Sequence, residues 1–376
     1  MTKFSPPVPR SGSFPSPEAI PVTRTFFPDY KEYERFIGQI WERGQITNNG
    51  LLCQELETRL KARLQVPLLS LVSNGTVALQ LAIKGLDLKG EIITTPYSYV
   101  ATTNSILWEG CEPVFVDICP ESFCINPELI EAAITDQTSA ILATHVYGYP
   151  CHVKEIEEIA AKYNIKVIYD AAHAFGVTFE GRSLLTYGDC STLSFHATKL
   201  FHTGEGGAVV CRDEGIADRV SLMSKFGHTG EDNYLDIGIN AKMSELHAAM
   251  GLAVLPRVEE IIAERRQCSM WYDEYLGDAL CQRPAVRSGV EYNYSYYPVI
   301  FPDHATMMRV RQVLIDQGIF PRRYFYPSLN TLPFLNPGRK QECPVSESIA
   351  SRVLCLPLFV GLGKNQIEKI SRIVHD

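Results

Sequence analysis

The sequence predicts an α/β protein, with a mainly parallel sheet between two helical layers and a smaller α+β unit after it. Three observations predict this. Short, almost wholly apolar runs such as Ser139–Thr144 and Lys166–Asp170 alternate with amphipathic stretches, the pattern of strands buried on both faces of a parallel sheet. The chain has 376 residues, more than one hydrophobic core usually serves. Beyond about residue 255 the alternation gives way to a long helix and then a segment rich in Pro and aromatics, which reads as a second, smaller layer arrangement.

Bulk composition narrows the classes. With 45% hydrophobic and 21% charged residues the chain has enough apolar surface for a packed core. A formal net charge of -8 argues against non-specific nucleic-acid binding, although it leaves room for a local anion pocket. The 11 cysteines are scattered, odd in number and never in a Cys-x-x-Cys pair. With no secretory pattern at the start, they are expected to be buried thiols of a cytoplasmic protein. No apolar run approaches the roughly 18 residues a membrane span needs.

Residues 1–24 are expected to be an extended arm, because Pro6, Pro7, Pro9, Pro15, Pro17 and Pro21 interrupt any periodicity. The large domain is placed at 25–255 and the small one at 256–376. Tyr30–Trp41 has helical apolar spacing, and Glu55–Leu64 a shorter version of it. Leu69-Ser-Leu-Val then runs into Ser73-Asn74-Gly75-Thr76 and an Ala/Leu-rich helix. Strands are expected at Glu91–Thr95, Pro113–Val116, Ser139–Thr144, Lys166–Tyr169, Thr192–Phe195 and Ala208–Cys211. Helices are expected at Tyr99–Trp108, Pro127–Ile134 and Val153–Tyr163, with Pro127 suited to a first helical turn. A helix from about Leu255 to Leu276, the segment Tyr292–Phe301 and a helix at Met307–Gln317 complete the pattern.

Ligands of such sheets bind beyond the carboxyl ends of the strands. Thr76, Tyr99, His145, Asp170 and Ser194 all fall just past predicted strand ends. Between the strands ending at Phe195 and starting at Ala208 lies a polar, glycine-rich loop with the single lysine Lys199. A lysine drawn from water there shifts its pKa or finds a partner, and becomes a candidate for Schiff-base chemistry; on this stretch alone, the plainer reading as a surface loop lysine wins. Asp170 is followed by Ala171 and Ala172, which leave room for a flat ring against the backbone. A carboxylate facing a pyridinium nitrogen and a lysine forming an imine are the two fixed needs of pyridoxal phosphate (PLP) chemistry. Tyr99 could stack on such a ring. Thr76, Ser194 and the Gly75 turn could take its phosphate at a helix N-terminus, where plain helix capping is the alternative. His145, Cys151 and His152 have no second ligand pair at zinc spacing, so no metal is expected.

Five segments together resemble the DegT/DnrJ/EryC1/StrS family of sugar aminotransferases. They are Ser73–Thr76, Thr95–Thr102, Asp170–Ala174, Ser194–Lys199 with Gly204–Gly207, and Gly238–Glu245. The resemblance runs from about residue 25 to the C-terminus. It implies the type I PLP-dependent aminotransferase fold and a cofactor of pyridoxal 5'-phosphate. Lys199 would be the catalytic lysine, Asp170 the partner of the ring nitrogen, and His173 a support for the cofactor. Tyr99 would stack on the ring, and Gly75, Thr76 and Ser194 would hold the phosphate. Asn240 resembles an asparagine that reaches the phosphate from the neighbouring subunit of a homodimer, with a plain turn residue as the alternative. Tyr326 resembles an aromatic of the sugar pocket, with a packed tyrosine as the alternative. Lys242 falls where the family has an arginine and Leu200 where it has an asparagine, departures that would touch cofactor support or substrate carboxylate binding.

The implied reaction is transfer of an amino group from L-glutamate to a nucleotide-linked keto-sugar. Asp-Ala-Ala-His and Gly-Glu-Gly-Gly resemble members that act at C4, most like those that use dTDP-4-keto-6-deoxyglucose. Members acting at C3 of a 3-keto-6-deoxysugar are the alternative within the family. A regulatory protein that kept the fold is the alternative outside it, and a lysine paired with Asp170 speaks against that.

Overall fold

The computed structural model describes residues 19–277, 283–336, 338 and 341–375. Most of the expected N-terminal arm lies outside these residues. The first half runs β1 (Ile20–Pro21), α1 (Tyr30–Arg43), α2 (Leu51–Leu64), β2 (Leu69–Val72), α3 (Gly75–Gly85), β3 (Glu91–Thr94), α4 (Val100–Trp108), β4 (Glu112–Phe115), α5 (Pro127–Ala133), β5 (Thr138–Thr144), α6 (Val153–Tyr163) and β6 (Lys166–Asp170). Next come β7 (Thr178–Phe179), β8 (Arg182–Ser183), β9 (Cys190–Ser194), β10 (Gly207–Cys211), α7 (Glu214–Met223), α8 (Glu245–Val254) and α9 (Val258–Leu276). The remainder comprises β11 (Val290–Glu291), β12 (Tyr297–Ile300), α10 (His304–Asp316), β13 (Ile319–Phe320), α11 (Pro344–Arg352), β14 (Val353–Leu356) and α12 (Lys364–His375).

Seven strands form the central sheet in the order β2-β10-β9-β6-β5-β3-β4. Only β10 runs against the rest, being antiparallel to both β2 and β9. Side-chain alternation splits the strand residues between two cores. Ile93, Ile141, Val167, Leu193 and Val210 face one core, built with α1, α2, α6 and α8. Ile92, Leu142, Ile168, Cys190 and Val209 face the other, built with α3 and α7. The sheet is therefore covered on both sides, as its continuous apolar strands require.

A further core joins α9, α10, α12, β12 and β14 in the C-terminal part, with Tyr272, Val299, Met307, Leu356 and Ile367 at its centre. Helix α9 spans both regions: Val258 and Ile261 belong to the main core, Cys268 and Tyr272 to the C-terminal one. Ile20 and Pro21, which the sequence reading placed in the arm, pair in parallel with Ile319 and Phe320.

Local chemistry sets the helix starts. Asp29, Asn74, Asn126, Ser244 and Asp303 each cap a helix by accepting a backbone N–H with the side chain. Helix α2 begins at Leu51, a turn ahead of the expected Glu55, because its cap comes from far away. The buried Glu245 carboxylate accepts from the N–H groups of Leu52 (3.0 Å) and Cys53 (2.9 Å). The stretch between β6 and β9, for which the sequence suggests no element, forms the β7–β8 hairpin, which β11 extends. Helices α7 and α8 were also not anticipated; the mixed hydropathy of the first and the Ala-rich run of the second hide their periodicity.

Candidate active site

The site grows from two neighbouring parallel strands. Residues Asp170 of β6 and Thr192 of β9 are register partners, so β6 ends two residues before β9 reaches its last residue, Ser194. The β9–β10 connection carries Lys199 and is pinned by backbone hydrogen bonds from Phe195 to Gly206, Ala197 to Gly204 and Thr203 to Phe195. Helix α3 brings its N-terminus against the end of β9. A Cβ on Gly75 would stand 2.7 Å from Ser194 Cβ, and one on Gly207 would stand 2.7 Å from the Asn74 backbone. Only glycine allows these approaches. Asn74 caps the Val77 N–H, and the Gly75 and Thr76 amides in the first turn have no intrahelical acceptor.

These elements enclose a cavity of about 620 Å³. Gly75, Thr76, Tyr99, Asp170, His173, Ser194 and Lys199 all line it. Asn240, Lys242 and Tyr326 do not. The Asn240 amide oxygen accepts from Lys242 Nζ at 2.6 Å at an exposed position, and Lys242 lies over the Phe226 ring. Tyr326 is about half exposed, with the Arg323 guanidinium over its ring. His145 also falls outside the cavity despite its place past a strand end. It is fully buried and stacked on Tyr169, with centroids 4.6 Å apart, while Nδ1 accepts from the Cys151 N–H.

The Asp170 carboxylate is buried and held from two sides. Thr102 Oγ1 donates to Oδ2 at 2.8 Å, and the Ala172 N–H donates to Oδ1 at 3.1 Å. A chain of hydroxyls stands behind it, because Thr144 donates to Ser98 and Ser98 bonds Thr102. Burial nevertheless raises the Asp170 pKa, against the pull of those donors and of Lys199. A carboxylate in that condition is poised to accept a cation or a protonated ring nitrogen.

Lys199 shows the converse. Burial lowers its pKa to about 8, with Asp170 acting the other way. Its Nζ lies 3.5 Å from Tyr296 Oη. The imidazole of His173 is packed among aromatic rings, with Phe325 5.5 Å away and nearly parallel, Tyr147 at 6.5 Å and Tyr296 edge-on at 4.7 Å. Its Nδ1 accepts the Tyr147 N–H, and burial pushes its pKa well below the ordinary value, so the ring is neutral. A neutral, flat, immobilised ring can back a cofactor without adding charge.

The donor set fits PLP. First-turn amides beside two hydroxyls suit a phosphate, the buried carboxylate suits a pyridinium, and the depressed lysine suits an imine. The sequence profile of the DegT/DnrJ/EryC1/StrS aminotransferase family matches residues 29–375. The chain belongs to that family.

The aminotransferase is 42% identical over 359 residues to the dTDP-4-amino-4,6-dideoxy-D-glucose transaminase of Shigella dysenteriae, covering 94% of this chain and 98% of the relative. It is 38% identical over 368 residues to the enzyme of the same name from Escherichia coli, covering 95% and 98%. The crystal structure of DesI in the presence of its TDP-sugar product superposes with a TM-score of 0.88 at 32% identity, over 95% of this chain and 92% of that one.

The site of this aminotransferase also contains residues that the sequence reading missed. Thr102, Tyr296, Arg322, Tyr324 and Phe325 each touch a cavity group or line the cavity. Thr102 could have been found from its place one helical turn after Tyr99. The aromatic density of Tyr292–Tyr297 and the Arg322-Arg323 pair ahead of two aromatics were the visible traces of the others. Nothing local says which of those aromatics turns inward.

All ten described cysteines are free thiols, and every one but Cys119 is buried. Among the described residues no helix is long and apolar enough to cross a membrane.

Proposed function

We propose that this aminotransferase uses PLP to move an amino group from L-glutamate to C4 of dTDP-4-keto-6-deoxy-D-glucose, giving dTDP-4-amino-4,6-dideoxy-D-glucose. The observation that carries the reading is the meeting of Asp170 and Lys199 in one cavity at the ends of β6 and β9. The two relatives from Shigella dysenteriae and Escherichia coli, both dTDP-4-amino-4,6-dideoxy-D-glucose transaminases, suggest the substrate.

The bound cofactor supplies an electron sink for the pair left when the amino-bearing carbon loses its proton. The protein does the rest. Lys199 Nζ takes that proton from the donor carbon and returns it elsewhere, a task suited to an amine whose pKa is about 8. Tyr296 Oη orients the amine. Asp170 would hold the ring nitrogen, His173 would support the ring and Tyr99 would stack on it. The Gly75 turn, Thr76 and Ser194 would hold the phosphate.

We assign Asn240 to the phosphate of a second copy's site, in a homodimer with shared active sites. Its exposure, and that of Leu235 and Ile237 on the same loop, supports burial of this loop against a partner. Lys242 and Tyr326, outside the cavity of their own chain, are assigned to the substrates only through such a shared site. Reduced, buried thiols support a cytoplasmic location.

The test is glutamate-dependent amination of dTDP-4-keto-6-deoxyglucose and of a 3-keto isomer, with the amino position read by NMR. Product from the 3-keto sugar alone moves the assignment to C3. No product from either removes the nucleotide-sugar reading, and the lack of a visible absorption band with added PLP removes the enzyme reading altogether.

A further inference from the structure

Two lysine or arginine side chains line the cavity among the described residues, Lys199 and Arg322. Lys199 is committed to the chemistry, and the carboxylate of Asp170 stands beside it. Arg322 has no carboxylate partner among the described residues. Its backbone is fixed by a two-way bridge with Cys355, with N–H to O distances of 3.1 and 2.8 Å. Its guanidinium lies 4.8 Å from the centre of the Tyr324 ring. Tyr324 in turn packs edge-on against Tyr296 at 5.3 Å, and Tyr296 Oη meets Lys199 Nζ. The cation is thus held on an aromatic wall that leads to the reactive amine. A planar guanidinium of this kind pairs with a carboxylate through two parallel hydrogen bonds.

We propose that Arg322 anchors the α-carboxylate of the amino donor, and so sets the enzyme's preference for an amino acid in the first half of the reaction. This rests on the transaminase reading above. The carbon that loses its proton to Lys199 carries the α-carboxylate one bond away, so its anchor must stand near that lysine. The diphosphate of a sugar nucleotide lies several bonds from the keto carbon and requires a more distant cation. Arg322 contributes to the depression of the Lys199 pKa, in keeping with this proximity. Lys242, the family-position candidate for the carboxylate, is turned to Asn240 and Phe226 within its own chain.

The test compares R322Q, R322K and K242Q as PLP-loaded full-length protein. Glutarate binding is titrated by calorimetry, dTDP binding likewise, and the glutamate half-reaction is followed by absorbance. R322Q is expected to weaken glutarate and raise the KM for glutamate by roughly 10–100-fold, with R322K between it and wild type and dTDP affinity within about twofold. An unchanged glutarate affinity in R322Q overturns the proposal, as does a larger loss in K242Q. A loss confined to dTDP assigns Arg322 to the nucleotide and also overturns it. If wild type makes no amino sugar, the proposed function fails, while the glutarate titrations still decide the role of Arg322.

Discussion

Lys199 Nζ and Tyr296 Oη lie 3.5 Å apart across the junction between the β9–β10 loop and the strand-like segment before β12. One group belongs to the main sheet and the other to the C-terminal part, so their meeting depends on how the two regions pack. The buried Arg265 fixes the second half of the pair by donating to the carbonyls of Tyr294 and Ser295. Burial raises the Tyr296 phenol pKa, so it stays protonated at neutral pH. Tyr296→Phe removes the hydroxyl and leaves the ring. We expect kcat to fall by roughly 10–100-fold, the cost of a loosened hydrogen bond to a charged group. The KM for the sugar nucleotide should stay within a few-fold. Steady-state kinetics of the two substrates checks this, and an unchanged kcat would remove Tyr296 from the machinery.

The Lys199 pKa of about 8 gives a pH signature. A lysine depressed below its unfolded value adds stability above pH 10.5, and that stability is lost as pH falls through about 8. Lys199→Met, which cannot be protonated, should therefore gain in melting temperature relative to wild type at pH 7. The gain should shrink at pH 10, with no PLP added in either case. In wild type, the rate at which apoprotein captures PLP through its amine should rise with pH to a plateau above about 8. A melting difference that is flat with pH contradicts the assigned burial.

Asp170 runs the other way in function and the same way in cost. Its pKa is raised in the folded protein, so the stability it contributes is full at low pH and lost as pH rises through the folded value. Asp170→Asn should melt no lower than wild type at pH 7 without PLP. With PLP present, wild type should gain several degrees by linkage and the variant clearly less. Thermal melts of the four samples check this. Equal gains would mean that the carboxylate does not hold the ring nitrogen.

Much of this site was legible because its residues obey local rules. Gly75, Thr76, Asp170, Ser194 and Lys199 each follow a strand whose apolar run is plain in sequence, and parallel sheets put such positions together. Tyr296, Arg322 and Phe325 were not legible, because they come to the main core from segments about a hundred residues or more beyond β9 and nothing in those segments sets their direction. The early start of α2 was hidden for the same reason: its cap, Glu245, is remote in sequence. Asn240 and Lys242 carry family-like surroundings, yet one chain alone leaves them outside the cavity. Measuring the solution mass and then mixing an Asn240→Ala protein with a Lys199→Ala protein tests the shared-site reading. If Asn240 serves the other copy, mixed dimers pair each intact residue differently and activity should recover in part. No recovery from a mixture shown to exchange subunits would return Asn240 to a local turn.

The segment that carries Arg322, Tyr324 and Phe325 is suspended between two elements, and one carboxylate controls the far support. Buried Asp117 accepts the N–H groups of Val345 at 2.8 Å and Ser346 at 2.9 Å, capping α11 from the loop after β4. Ser346 Oγ then bonds Ser328 Oγ at 2.7 Å, just past Tyr326. Asp117→Ala leaves the buried Ser346 N–H and the half-buried Val345 N–H without acceptors, at a cost of about 1–3 kcal/mol. The melting temperature should drop by several degrees. Because the cap positions the wall of the cavity rather than its lysine, the KM for glutamate should rise more than kcat falls. Asp117→Asn keeps one acceptor oxygen and should recover part of both losses. A destabilised Asp117→Ala enzyme with unchanged KM would show that α11 steadies the fold without tuning the donor side of the site.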